Sequence, residues 1–133
     1  MDPKAFLGVA ERLRDSNNEA ECRTSVGRSY YALYNAVIGI LKSKGVVFRE
    51  TPQDHQSLVD YMTRVGSRIV GPVALTLKNL RTERNVADYN MSRSFDAKKS
   101  NLQYRLAKDT LDDFEKIPVT DLESLVARMK EIP

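Results

Sequence analysis

Arg84, Asn85, Asp88 and Tyr89 are the residues of this 133-residue chain whose types and spacing come nearest to a reaction site. They lie in the stretch LRTERNVADYN, Leu80 to Asn90, on a helical apolar frame of Leu77, Leu80, Val86 and Ala87. On a helix, Arg84 and Asp88 form an i,i+4 pair of opposite charge, Asn85 and Tyr89 make an adjacent polar stripe, and Arg81 shares the face of Arg84. A guanidinium can grip a phosphate oxygen pair or stabilise the charge that develops during phosphoryl cleavage. A helix meant only to pack needs one apolar stripe and a solvated back. Two readings follow from spacing alone: a polar patch converging on a ligand, or a salt-bridged helix end with Tyr89 reaching out of the core.

The elements that must position these groups are helical throughout. A length of 133 residues gives a single domain, 1–133, able to bury roughly two-thirds of its unfolded surface. A composition 41% hydrophobic and 29% charged is that of an ordinary globular protein. Asp2-Pro3 opens a first short helix with Phe6, Val9, Ala10 and Leu13 on its apolar side. The second and longest helix runs from about Glu19 to Lys44, with Cys22, Val26, Tyr30, Leu33, Val37, Ile40 and Leu41 as its stripe and Gly45 as its stop. Val46, Val47 and Phe48 are expected to fold down over the bundle, and Thr51-Pro52-Gln53-Asp54 opens a third helix through about Val65.

Pro72 suits the first turn of a fourth helix, which carries the Arg84 stretch and ends near Asn90. Ser94 is expected to cap a fifth, from about Phe95 to Lys116, with Leu102, Leu106, Thr110 and Phe114 inward. Thr120 and Glu123 read as a capping box for a last short helix, 120–132. The fold class is therefore all-α, an up-and-down bundle of five to six helices with a core spanning about 19–116.

Composition also excludes function classes. One cysteine, Cys22, rules out an intrachain disulfide framework and a cysteine-rich zinc site. One histidine, His55, rules out a multi-histidine metal centre, and in the first turn of its helix it reads most simply as a helix-end hydrogen-bonding residue. No cofactor or metal is called for. The longest apolar stretch, Ala36 to Leu41, is too short to span a bilayer, and no signal peptide is recognisable at Met1, so no membrane partner and a cytoplasmic location are expected. The net charge of +3 permits nucleic acid without demanding it. Its distribution is more telling: Lys78, Arg81, Arg84, Arg93, Lys98, Lys99, Arg105 and Lys108 face only Glu83, Asp88 and Asp96 in that window. Any electropositive surface should centre there.

Two stretches carry a resemblance. Arg28-Ser29-Tyr30-Tyr31-Ala32-Leu33-Tyr34-Asn35-Ala36 resembles the R-x-x-Y-Y-A-x-[FY]-[HN]-A signature on the long second helix of HEPN domains. Leu80 to Tyr89 resembles the L-x-x-x-R-x-x-A-D-Y segment on the fourth helix of small prokaryotic HEPN proteins, and His55 fits the layout between them. The resemblance covers about Glu19 to Leu111, in order. It implies a helical bundle that forms a homodimer, with Arg28, Tyr30, Tyr31 and Asn35 as a structural motif. It also implies either metal-independent RNA cleavage by an Arg and a His roughly four to six residues apart, or an RNA-, nucleotide- or partner-binding module. Small members often accompany a nucleotidyltransferase-type partner protein in toxin–antitoxin or defence systems.

This chain departs from the nuclease pattern. Arg84 and Asn85 match its start, but Tyr89 stands where the His belongs, and the neighbouring spacings give Asn90 and Met91. Cleavage without metal needs a base and an acid with pKa values near the working pH, and a tyrosine, at about 10, is a poor base there. Binding without efficient catalysis is therefore the favoured expectation, with Lys78, Arg81 and Arg84 on phosphates and Tyr34 or Tyr89 stacking a base. Two alternatives stand beside it. One is a ribonuclease that uses Arg84, Asn85, Asp88 and Tyr89 with help from His55. The other is a buried polar network in which Arg84 and Asp88, with Tyr34 or Asn35, pin the second helix to the fourth.

Overall fold

The longest apolar stripe belongs to α2, Glu19–Ser43, and most of the molecule is laid against it. A computed structural model describes all 133 residues as six helices and no strand: α1 (Lys4–Leu13), α2, α3 (Asp54–Val65), α4 (Gly71–Tyr89), α5 (Ala97–Glu115) and α6 (Val119–Lys130). Helices α1, α4 and α5 pack directly on α2; α3 packs on α4, and α6 on α3. Helices α1 and α4 run antiparallel to α2, whereas α5 begins beside the start of α2 and runs parallel to it. Ser25 of α2 donates to the Ala10 carbonyl while Arg28 reaches Phe6, and Arg23 meets Ala87 where Tyr31 meets Arg84. The chain is an all-α bundle, and none of its helices is long and apolar enough to cross a membrane.

Helix boundaries follow local chemistry. Asn18, extended at φ −98°, accepts the Glu21 amide at 3.1 Å and starts α2, and Glu19 and Glu21 place carboxylates at its positive end. Gly45 takes φ +92° just past the end of α2, and Gly66 takes φ +65° after α3, conformations that cost other residues a steric penalty. The Asp2 carboxylate accepts the Lys4 amide at 2.9 Å at the start of α1, while Pro3, expected inside the helix, stands at its N-cap position.

The core is continuous from Tyr30, Leu33, Val37 and Leu41 of α2 through Leu58 and Met62 of α3, Leu77 and Leu80 of α4, and Leu111 and Phe114 of α5 to Val126 and Met129 of α6. The expected α2 stripe is there, with Ile40 at its half-buried margin. A small second cluster of Cys22, Val26, Ala87 and Phe95 closes the opposite end.

Four further expectations are corrected. On α5 the inward residues are Ser100, Gln103, Tyr104, Ala107, Leu111 and Phe114, whereas Leu102 and Leu106 are 55% and 39% exposed. Small and polar residues win that face because the helix sits close against α1 and α2; the Ser100 hydroxyl donates to the Arg14 carbonyl at the end of α1. The cap of α5 is Asp96 rather than Ser94, with the Asp96 carboxylate accepting the Lys99 amide at 3.0 Å. Phe95 lies just outside the helix yet is buried.

The capping box at Thr120 does not form. Helix α6 begins at Val119 behind Pro118, so Thr120 already has helical backbone and its side chain cannot cap. Val47 is 74% exposed, while its neighbours Val46 and Phe48 do pack inward.

Candidate functional site

Two consecutive tyrosines of α2 divide the polar residues of the molecule into two groups. Tyr30 faces inward and Tyr31 faces the α4 surface, as their offset around a helix requires.

The outer group is built on Arg84. Its Nη2 donates to the Tyr31 hydroxyl at 2.5 Å and its Nη1 to Asn85 Oδ1 at 3.1 Å. Its Nε lies 2.9 Å from Asp88 Oδ2 but off the N–H axis, so that contact is an ion pair and not a directed hydrogen bond. The guanidinium also sits by two rings, 5.1 Å from the centre of Tyr31 and 5.9 Å from that of Tyr89. The i,i+4 geometry read from the sequence is therefore present, and Tyr89 is a surface residue, 74% exposed.

Gly27 on α2 faces Arg84 and Asp88, and a Cβ there would come to 3.9 Å from Arg84 Cγ and 4.0 Å from Asp88 Oδ1. Beside it opens a hollow of about 470 Å³ between α1, α2 and α4, walled by Phe6, Arg28, Tyr31, Asn35 and Asp88. That volume falls in the range of small-molecule sites, roughly 300–1,000 Å³.

The inner group is closed. The Tyr30 hydroxyl and His55 Nδ1 are 2.7 Å apart, and both residues are buried, at 4% and 6% exposure. Tyr34 stacks on Tyr30 at 5.7 Å between centroids and lies against His55 at 5.9 Å. Burial holds the His55 imidazole well below its ordinary value, at about 4, and the nearby positive charge of Arg81 pushes the same way. Burial raises the Tyr30 and Tyr34 hydroxyls. A neutral imidazole accepting at Nδ1 from a protonated hydroxyl satisfies both partners.

The residues expected to contact RNA are thus spread over three settings. Arg84, Asn85, Asp88 and Tyr89 are together. Arg81 is half-buried, close enough to depress His55, and Tyr34 spends one face of its ring on Tyr30. Lys78 is exposed and lines a separate groove of about 490 Å³ between α3 and α4. Asn35 donates to the Tyr31 carbonyl at 2.8 Å, within its own helix. The partner that pins Arg84 to α2 is Tyr31, where Tyr34 or Asn35 was expected.

Arg23 was not singled out by sequence, yet it ties off the end of α4. Its Nη1 donates to the carbonyls of Ala87 (2.8 Å) and Asn90 (3.1 Å), its Nη2 donates to the Arg93 carbonyl, and its guanidinium lies 4.8 Å from the Phe95 ring centre. Glu19 completes the tie by accepting the Phe95 amide at 2.8 Å. The available signal was negative: α4 has no basic residue in its last turn to meet its free carbonyls.

The outer group offers fixed cationic donors, a carboxylate, an amide and exposed aromatic surface, while the one imidazole of the chain is held inside. The chain matches no protein-family model, no curated protein and no solved structure.

Proposed function

We propose that this chain is a HEPN-type helical module that binds RNA or a nucleotide through the α2–α4 face, without efficient catalysis. It acts as a homodimer, alone or with a nucleotidyltransferase-type partner in a toxin–antitoxin or defence system. The observation that carries the reading is the mounting of Arg84: Tyr31 and Asp88, which both line a ligand-sized hollow, fix its guanidinium beside it, near the exposed ring of Tyr89. A pre-positioned guanidinium loses little freedom on gripping a phosphate, and an exposed ring next to it can stack a base. The absence of an imidazole on this face supports binding over cleavage, since His55 is buried against Tyr30.

A second reading is favoured by the same contact. The Arg84 side chain is only 20% exposed and bridges α4 to α2 through Tyr31, so it also serves as a polar clamp between helices.

One experiment separates these. Binding and cleavage of labelled tRNA and mRNA are measured with EDTA present, for wild type, Arg84→Ala, Tyr89→Phe and Tyr89→His, each with its melting temperature. The proposal expects salt-sensitive binding without cleavage in wild type, weaker binding by a folded Arg84→Ala, and cutting, if any, only by Tyr89→His. Cleavage by wild type that folded Arg84→Ala loses would make the face an active site. No RNA binding, with an unfolded Arg84→Ala, would leave only the clamp.

A further inference from the structure

The hollow beside Arg84 is lined by another guanidinium, that of Arg28, whose position the clamp does not explain. Arg28 lies 5.6 Å from the ring centre of Phe6 and 5.8 Å from that of Tyr31, and those two rings are themselves 6.2 Å apart. Two aromatic faces thus hold the long side chain in place on the wall of the hollow. No hydrogen bond or ion pair within the protein engages its N–H donors, in contrast to Arg84 and Arg23, each of which is tied to several acceptors. A guanidinium fixed at its flanks and free at its tip suits a bidentate anion, phosphate above all.

The rest of the wall is specific in sign. The Tyr31 oxygen accepts from Arg84, which leaves its O–H proton to be donated. Asn35 spends an amide hydrogen on the Tyr31 carbonyl and keeps its Oδ1 as an acceptor. Asp88 has one oxygen against Arg84 and lines the hollow as a second acceptor. Arg84 neutralises much of that carboxylate, so the wall as a whole stays electropositive through Arg28. The ligand that fits carries an anion at one end and hydroxyl or amino donors at the other.

Resting on the reading of this face as an RNA- or nucleotide-binding surface, we propose that the hollow between α1, α2 and α4 takes a single ribonucleotide by its 5′-phosphate, with Arg28 as phosphate receptor, Tyr31 as a second donor, and Asp88 accepting from the ribose hydroxyls. The source is either a free nucleotide or the 5′ end of an RNA strand, since both present the same group. Arg28 is then a ligand-binding residue and not only part of the framework of α2.

The test is calorimetric titration of wild type, Arg28→Lys, Arg28→Gln and Lys98→Ala with adenosine 5′-monophosphate, its 2′-deoxy analogue and adenosine. Fluorescent RNA hexamers with and without a 5′-phosphate are titrated in parallel, and melting temperatures confirm folding. Expected are binding of the monophosphate at least tenfold tighter than adenosine, a tenfold or greater loss in Arg28→Gln, partial rescue by Arg28→Lys, no change in Lys98→Ala, and several-fold weaker binding of the deoxy analogue. A preference for the phosphorylated hexamer assigns the site to strand ends; equal hexamers with a bound monophosphate assign it to free nucleotide. Either sustains the proposal. It is overturned if the monophosphate binds no better than adenosine, fails to bind, or is indifferent to Arg28→Gln in a folded protein. The two readings fail separately: RNA binding that needs Arg84 but ignores Arg28 and the 5′-phosphate removes only the pocket, whereas monophosphate binding without hexamer binding removes only the RNA surface.

Discussion

Tyr30 and Tyr31 are adjacent in sequence, identical in type and each hydrogen-bonded to a basic side chain, yet they serve opposite ends. Tyr30 meets a neutral imidazole inside the core; Tyr31 meets a charged guanidinium beside an open hollow. One helical step of about 100° separates them. Inside, no carboxylate is ion-paired with His55, and burial keeps the imidazole uncharged. Outside, the charge of Arg84 is kept and shared among Asp88, Asn85 and Tyr31. The inner pair therefore bears on stability and the outer one on recognition, and the difference between them can be measured.

The largest effect expected is on the inner side, as a pH dependence. The His55 imidazole titrates near 4 in the fold against an ordinary 6.5, so the unfolded chain takes up the proton first. Stability from this group is complete above pH 6.5, falls as the pH drops towards 4, and falls no further below that. The size is about 3 kcal/mol over the whole window, at 1.36 kcal/mol per pH unit between the two values. Urea denaturation from pH 7.5 to 5 reads most of the slope before the carboxylates titrate. His55→Gln should flatten it, and an equally steep slope in that variant would place the pH sensitivity elsewhere.

Tyr30→Phe comes next. It keeps the ring and its packing on Tyr34 but leaves Nδ1 of a buried imidazole without a partner. The cost should be about 1–3 kcal/mol, the usual penalty for an unsatisfied buried polar group. RNA affinity, referred to folded protein, should not move. A change in affinity equal to that of Arg84→Ala would break the distinction between the two sides.

Arg84→Ala reverses the pattern. Its ion pair is partly exposed, with Asp88 at 38%, so screening limits its contribution to stability to about 1 kcal/mol. Its effect on RNA binding should exceed tenfold, because it removes the anchored phosphate donor of the proposed surface. A melting temperature lowered as far as in Tyr30→Phe, with affinity unchanged, would assign Arg84 to the clamp alone.

What the sequence disclosed of this arrangement follows the same inside–outside line. The helices and the α2 stripe were legible because Leu33, Val37 and Leu41 repeat at helical spacing and cannot be exposed together cheaply. The Arg84–Asp88 pair was legible because it is local, four residues apart on one helix. The misplaced α5 stripe shows the limit: Leu102 and Leu106 have helical spacing too, but close packing of α5 favours the small Ser100 and Ala107, which a hydrophobic pattern does not weight. The Tyr31–Arg84 and Tyr30–His55 contacts, 53 and 25 residues apart in sequence, depend on how helices rotate against each other. Spacing within one helix carries no information on that. Arg28 was readable only as part of a motif, since the ring of Phe6 that holds it comes from another helix.

The smallest effect is expected from Tyr31→Phe, and it is the most discriminating. The substitution removes one hydroxyl from Arg84 and nothing from the two ring contacts that steady Arg84 and Arg28. The guanidinium beside this hollow is partly solvated, so water can replace the lost acceptor and the cost in stability should stay at or below about 1 kcal/mol. Ligand binding should fall only a few-fold, because Arg84 is loosened while its charge remains. Set beside Tyr30→Phe, this gives a matched pair: the same atom deleted from neighbouring residues, with the larger stability loss on the inner side and the only affinity loss on the outer. If Tyr31→Phe proves the more destabilising of the two, the Arg84 group belongs to the folding core, and the surface assigned to recognition has to be sought in the groove beside Lys78 instead.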